Sequence, residues 1–188
     1  MSLVVVAAHS GYGHTRRIAD AVVAGAAGVG GTRAELIDVA AIRESDWRRL
    51  AAADAIVFGA PTYMGGPSAQ FKAFADASSK VWLTRTWKDK FAGGFTCSLN
   101  MSGDKSSTLN YFVTLAMQHG MVWVGLGLMP PRHPGAPHEL NRLGSYIGVM
   151  AQAGNVPPEQ EPPGGDIETG RSYGVRIAGF ARQRQRQG

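Results

Sequence analysis

Short continuous apolar runs alternate along the chain with longer stretches in which apolar residues recur every three or four positions. Leu3 to Ala8 is an unbroken, valine-rich run, the pattern of a strand buried on both faces. From Thr15 to Val29, Ile18, Ala19, Val22, Val23 and Ala26 repeat at helical spacing, which predicts a helix laid against that strand. The same alternation continues. Arg33–Val39 reads as a second strand, Trp47–Ala53 as a helix, and Asp54–Gly59 as a third strand. Pro67 opens a helix marked by Phe71, Phe74, Ala75 and Ser78, a proline being tolerated in a first helical turn. Phe91–Cys97 reads as the fourth strand, and Leu109, Phe112, Val113 and Met117 mark the next helix. Met121–Gly125 reads as the fifth strand and Ser172–Gln183 as the last helix.

Alternating strands and helices predict a parallel sheet covered on both faces. Five such units in 188 residues fit an α/β, flavodoxin-like three-layer sandwich with a five-stranded parallel sheet in the order 2-1-3-4-5. A single domain over residues 1–188 is expected, with a flexible Arg/Gln-rich tail from about 182. Right-handed crossovers leave the ligand crevice outside the carboxyl ends of the strands. Residues 127–170 carry eight of the ten prolines and read as irregular. That segment either covers a ligand or packs on another subunit, or part of it (Pro157–Gly165) is disordered.

Composition narrows the function. The single cysteine, Cys97, excludes an internal disulfide framework and a cysteine-based zinc or iron–sulfur site, so no metal is expected. Cys97 itself reads as a buried strand residue. The N-terminus has no secretory pattern and no run reaches the length of a membrane span. A cytoplasmic location without membrane attachment is expected. The net charge is +5, but Arg171, Arg176, Arg182, Arg184 and Arg186 cluster near the C-terminus, where the final RQRQRQG reads as a frayed, solvated tail. One short basic strip is not a nucleic-acid site, and a basic protein also suits a phosphorylated cofactor.

Three polar loops follow strands one, three and four and should meet at one sheet edge. In the first, Ser10–Thr15 (SGYGHT), Gly11 and Gly13 let backbone N–H groups turn inward, and the next helix points its positive end at the same place. That is a phosphate socket, although Ser10 and Thr15 could equally cap the helix. The loop lacks GxGxxG and GK[ST] in register, so a monophosphate fits better than a pyrophosphate. In the second loop, Pro61, Thr62, Tyr63 and Met64 can border a flat ring, with Tyr63 as an ordinary surface aromatic the alternative. In the third, Ser98, Leu99, Asn100, Met101, Ser102 and Gly103 offer backbone donors, unless the loop is simply mobile. Trp82 either completes the core or walls a pocket. His119 nears the same edge only if its helix ends over the loops; otherwise it caps that helix.

These pieces, SGYGHT, then GAPTYMGGPSAQFKAFAD with VW beyond it, SLNMSG, TLAMQHGMVWVGLG and, more weakly, GRSYGVRIAGFA, occur in order over most of the chain. Together they resemble the flavodoxin-like NAD(P)H:quinone oxidoreductases of the tryptophan-repressor-binding-protein type, which bind FMN. The resemblance implies that Ser10, Gly11, Tyr12, Gly13, His14 and Thr15 surround the FMN phosphate. Pro61, Thr62, Tyr63 and Met64 would border the isoalloxazine, and Ser98 to Gly103 would reach the ring and ribityl chain. Trp82 matches a tryptophan on the substrate side of the ring. His119 matches a histidine beside the flavin, in a pocket completed by a second subunit, and a homodimer or homotetramer is implied. Three departures stand out, one being the poor fit of residues 127–170. The chain is short between Arg33 and Asp54, where typical members carry an insertion used in assembly, and SLNMSGDKSS replaces a Gly/Thr-rich loop.

The expected activity is ping-pong two-electron transfer from NAD(P)H through FMN to a small-molecule quinone or similar acceptor, the flavin supplying the chemistry. His119 and Tyr63 are the candidate proton donors. The rivals are an NAD(P)H-dependent FMN or azo-compound reductase, a flavodoxin-type electron carrier, and a protein that keeps only the fold.

Overall fold

The computed structural model describes residues 1–132 and 139–185. The elements in chain order are β1 (Ser2–Ala8), α1 (His14–Ala27), β2 (Thr32–Asp38), α2 (Glu44–Ala52), β3 (Ala55–Tyr63), β4 (Gly66–Pro67), α3 (Ala69–Ala77) and α4 (Ser79–Leu83). They continue with β5 (Phe91–Ser98), α5 (Lys105–Gln118), β6 (Val122–Trp123), β7 (Val149–Gln152) and α6 (Gly164–Gln185). A single 3₁₀ turn, Val39–Ala41, follows β2. Among the described residues no helix is long and apolar enough to cross a membrane.

The strands run parallel in the order β2-β1-β3-β5-β6, with β7 also on β5 and the two-residue β4 folded back on the end of β3. This is the flavodoxin-like five-position sheet in the expected order. Alternation along β1 divides the core. Val4, Val6 and Ala8 face the α1/α6 layer with Ile18, Val22, Phe95, Tyr173 and Ile177. Val5 and Ala7 face the opposite layer with Phe58, Phe71, Phe74, Trp87 and Phe112. The two helices of the first layer touch backbone to backbone. A Cβ on Gly174 would lie 2.1 Å from the Val22 carbonyl oxygen, and one on Gly25 would lie 1.9 Å from that of Arg171.

The fifth strand position differs from expectation. It is built from two pieces: β6 pairs with Phe91–Ala92, and β7 pairs with Phe95–Ser98. The Met121–Gly125 run supplies only the first half. The second half comes from inside the segment that read as irregular. Trp123 Nε1 donates to the Ile147 carbonyl at 2.8 Å, which pins the return of the chain. Gly148 permits it, because a Cβ there would fall 2.3 Å from the Gly94 carbonyl oxygen. Glycine and proline on both sides of this short strand hide it from periodicity.

Pro157–Gly165 is ordered in the structure, with Arg17 bonded to its carbonyls and α6 starting at Gly164. α6 also begins earlier and ends later than predicted. It carries Arg182 and Arg184 within the helix, and residues 186–188, including Arg186, lie outside the described residues.

Candidate functional site

β1, β3 and β5 end at the same sheet edge, and the loops that follow them frame a cleft of about 510 Å3. This is within the range of cofactor sites, roughly 300–1,000 Å3. Tyr12, His14 and Thr15 line one end. Pro61, Thr62 and Tyr63 from β3, with Cys97, Ser98 and Leu99 from β5, line the other. Ala153, Gly154, Asn155 and Val156, just past β7, form the remaining wall.

The first loop ends in a left-handed residue, Gly13 at φ +91°, which starts α1. Ser10 Oγ accepts from the amides of Gly13 at 3.1 Å and Arg16 at 3.0 Å. Its oxygen is therefore committed to capping and loop shape. The first-turn amides of His14 and Thr15 have no helical acceptor by geometry, and both residues face the cleft. Amides of this kind at the positive end of a 14-residue helix suit a phosphate. Ser10 and Gly13 border a smaller pocket of about 200 Å3 behind the loop, with His9 and Asp38. Gly11 lies beneath Tyr63: a Cβ there would stand 2.4 Å from the phenol oxygen.

In the second loop, Thr62 turns its hydroxyl inward. It shares hydrogen bonds with Thr96 Oγ1 at 2.7 Å and Thr108 Oγ1 at 2.8 Å, so only the rest of the residue is offered to a ligand. Tyr63 is 40 % exposed and meets Tyr12 edge-on, with ring centroids 6.2 Å apart. Burial pushes its pKa up, with Tyr12 and Cys97 adding to the rise, so the phenol keeps its proton at neutral pH. Met64, at φ +49°, is fully exposed beyond the rim. Cys97 is buried in the cleft floor, and burial raises its thiol to about 12. At neutral pH it is an inert wall.

In the third loop, Ser98 and Leu99 reach the cleft, while Asn100, Met101, Ser102 and Gly103 stand outside its lining. Gly103, at φ +53°, packs so closely that a Cβ would lie 2.1 Å from Ser98 Oγ.

Trp82 and His119 do not join these residues. α5 starts at the cleft and, with 14 residues, runs about 21 Å away at 1.5 Å per residue. His119 is its C-cap, 2 % exposed. Its Nε2 shares a 2.9 Å hydrogen bond with Ser78 Oγ and its ring lies 4.3 Å from that of Trp87. Burial, with a smaller contribution from Arg85, lowers its pKa to about 4. Trp82, on α4 just past the end of α3, is at this same far edge and 40 % exposed.

Sequence reasoning missed three parts of the site. The Ala153–Val156 wall follows the hidden strand, and the VMAQ run between Gly148 and Gly154 was its signal. This wall is tied to the first loop and the start of α1. His14 Nε2 donates to the Val156 carbonyl at 2.8 Å, and Arg17 Nη1 donates to the carbonyls of Pro158 at 2.7 Å and Glu159 at 3.1 Å. The second missed residue is His9, whose Nδ1 shares a 2.8 Å hydrogen bond with Ser68 Oγ and so joins the first loop to the start of α3. The third is Lys105, the first residue of α5, which lies under the third loop.

The donor set and dimensions fit FMN: helix amides for a phosphate at one end, and Pro61–Tyr63 with Cys97–Leu99 at the carboxyl ends of β3 and β5 to border a ring at the other. The comparisons agree with this chemistry. A family model described as NADPH-dependent FMN reductase matches residues 1–129. A relative named flavodoxin FldP, from Pseudomonas aeruginosa, is 43 % identical over 187 residues, covering 97 % of this chain and 98 % of its own. An NAD(P)H dehydrogenase (quinone) from Trichlorobacter lovleyi is 33 % identical over 207 residues, covering 95 % and 96 %. The crystal structure of a flavodoxin, WrbA-like protein from Agrobacterium tumefaciens superposes with a TM-score of 0.78 at 48 % identity, covering 97 % and 99 %. The chain belongs to the NADPH-dependent FMN reductase family, among the flavodoxin-like, WrbA-type NAD(P)H:quinone oxidoreductases.

Proposed function

We propose that this protein is an FMN-dependent NAD(P)H:quinone oxidoreductase whose flavin occupies the cleft between the three loops. FMN, when bound, supplies a centre that takes two electrons as hydride from a nicotinamide and passes them on to a quinone-type acceptor. The observation that carries this reading is the meeting, in one cleft, of the helix start at His14–Thr15 with Pro61–Tyr63 and Cys97–Leu99. The amides of His14 and Thr15, with the Thr15 hydroxyl, hold the phosphate. Pro61–Tyr63 and Ser98–Leu99 flank the ring. The Tyr12–Tyr63 edge pair shields the mouth from water. Tyr63, protonated at working pH, donates a hydrogen bond to the acceptor oxygen. With one cleft for both partners, the nicotinamide leaves before the acceptor enters, which is the ping-pong order.

The absorption spectrum of the purified protein with added FMN tests this. Flavin bands that bleach with NAD(P)H and return with a quinone are expected. A folded protein whose spectrum shows no bound FMN would overturn the reading. An initial-rate pattern that requires both substrates bound at once would overturn the ping-pong order alone.

The far edge supports a homodimer or homotetramer. Trp82, Leu83, Met117 and Val122 are exposed there, around the buried His119. In this assembly Trp82 serves the cleft of a second copy. Light scattering coupled to gel filtration should report a multimer, and Trp82→Glu should shift it towards monomer.

A second reading, an electron carrier for a protein partner, is favoured by one relative's name, flavodoxin FldP. The exposed side chains of Tyr12, Leu99 and Met101 around the cleft, with Met64 beyond its rim, also suit docking. The protein's rate of NAD(P)H consumption with a free quinone separates the two: a carrier does not turn over by itself.

A further inference from the structure

Lys105 stands where elementary physics disfavours a lysine. It is 1 % exposed, and an ammonium costs several kcal/mol to take out of water. It is also the first residue of a 14-residue helix, whose positive end repels cations. Its Nζ donates to Ser98 Oγ at 2.8 Å and to the Asn100 carbonyl at 2.7 Å. A neutral donor could hold the loop in this way without either penalty.

The charges around it do not repay the cost. Burial is the main influence on its pKa and lowers it, Cys97 and Asp166 raise it, and Arg142 lowers it. Asp166 is held by Arg142 through bonds of 2.7 and 2.9 Å and accepts the Gln152 amide at 2.9 Å. The acid is thus committed elsewhere, and among the described residues no carboxylate forms an ion pair with Nζ. One of its two hydrogen-bond partners leads to the cleft. Ser98, one hydrogen bond away, and Cys97 both line the cleft.

We propose that Lys105 is a positioning residue of the flavin site whose charge selects the redox state of the cofactor. Its bond to the Asn100 carbonyl holds the third loop and its bond to Ser98 fixes that residue beside the ring, and its ammonium makes the cleft hold reduced FMN more tightly than it otherwise would. The inference rests on the flavin reading above. Two electrons and one proton delivered by NAD(P)H leave one added negative charge on the ring. A fixed cation behind the wall interacts with that form and much less with the neutral oxidised ring.

The experiment compares wild type, Lys105→Met and Lys105→Gln. Dissociation constants are measured for oxidised FMN aerobically and for chemically reduced FMN under argon, with circular dichroism as a check on folding. Both variants should lose about tenfold more affinity for reduced than for oxidised FMN, equivalent to a two-electron midpoint about 30 mV lower. Lys105→Gln, which keeps a donor for the loop, should bind oxidised FMN within about threefold of wild type. Equal losses for the two redox states would reduce Lys105 to a loop prop and overturn the charge role. Unchanged binding of both would overturn the whole inference. A wild-type protein that binds neither form overturns the flavin reading instead, before any variant is made.

Discussion

The phenol oxygen of Tyr63 occupies the space that a side chain on Gly11 would need, with only 2.4 Å between that oxygen and a Cβ built on Gly11. The loops after β1 and β3 are therefore fitted to each other across the cleft mouth. Gly11→Ala should push Tyr63 aside and weaken FMN binding by about tenfold, roughly 1.4 kcal/mol. In the background of Tyr63→Ala the same substitution should cost much less. A double-mutant cycle on FMN affinity measures this coupling; additive losses would mean that the two loops act separately.

Thr62 touches the cleft but spends its hydroxyl on Thr96 and Thr108. Thr62→Val should lower stability by about 1–2 kcal/mol, since two buried hydroxyls lose a partner. FMN affinity should change less than threefold. Urea unfolding and flavin titration of the same variant separate the two effects.

His119 makes the protein acid-sensitive. Its pKa falls from 6.5 in the unfolded chain to about 4 in the folded protein. Between those values the unfolded chain binds a proton that the folded protein refuses. Stability is therefore full above about pH 6.5 and declines as the pH falls towards 4, by about 3 kcal/mol at most. His119→Phe should flatten this part of the profile, read as the urea midpoint against pH.

Gly174 lets α6 approach α1. Gly174→Ala would bring a methyl against the Val22 carbonyl and should cost about 1–3 kcal/mol through overpacking, despite alanine's better helix propensity. A lowered Tm is expected, with flavin binding at low temperature preserved. A raised Tm would mean that the helices separate without loss.

The sheet and three of its loops were legible because their signals are local. Val4 to Ala8 and Ile56 to Phe58 are continuous apolar runs, and the polar stretches that follow them must emerge at the same edge of a parallel sheet. The carboxyl half of the fifth strand was not legible, because Val149–Gln152 is four residues long and sits between glycines in a proline-rich segment. Its loss hid the Ala153–Val156 wall. His119 illustrates a different limit. Sequence places it at the end of a helix, but the length of α5 and the direction of its crossover decide which end of the sheet it reaches. Lys105 was missed because a lysine in a first helical turn ordinarily points to water, and only the three-dimensional packing of Ser98 and Asn100 over it shows otherwise.

The two-piece edge strand divides labour along one line of the sheet. Val122–Trp123 pairs with the beginning of β5, with Val122 exposed at the far edge and Trp123 packed against the core. Val149–Gln152 pairs with its end and delivers the cleft wall. Because the chain leaves the sheet after Trp123 and rejoins it at Val149, the length of the connection can change while each half keeps its own register on β5. The same break makes the connection a natural graft point: a segment exchanged there would leave the Ala153–Val156 wall and the loops of β1 and β3 as they are, provided that Val149–Gln152 keeps its pairing with β5.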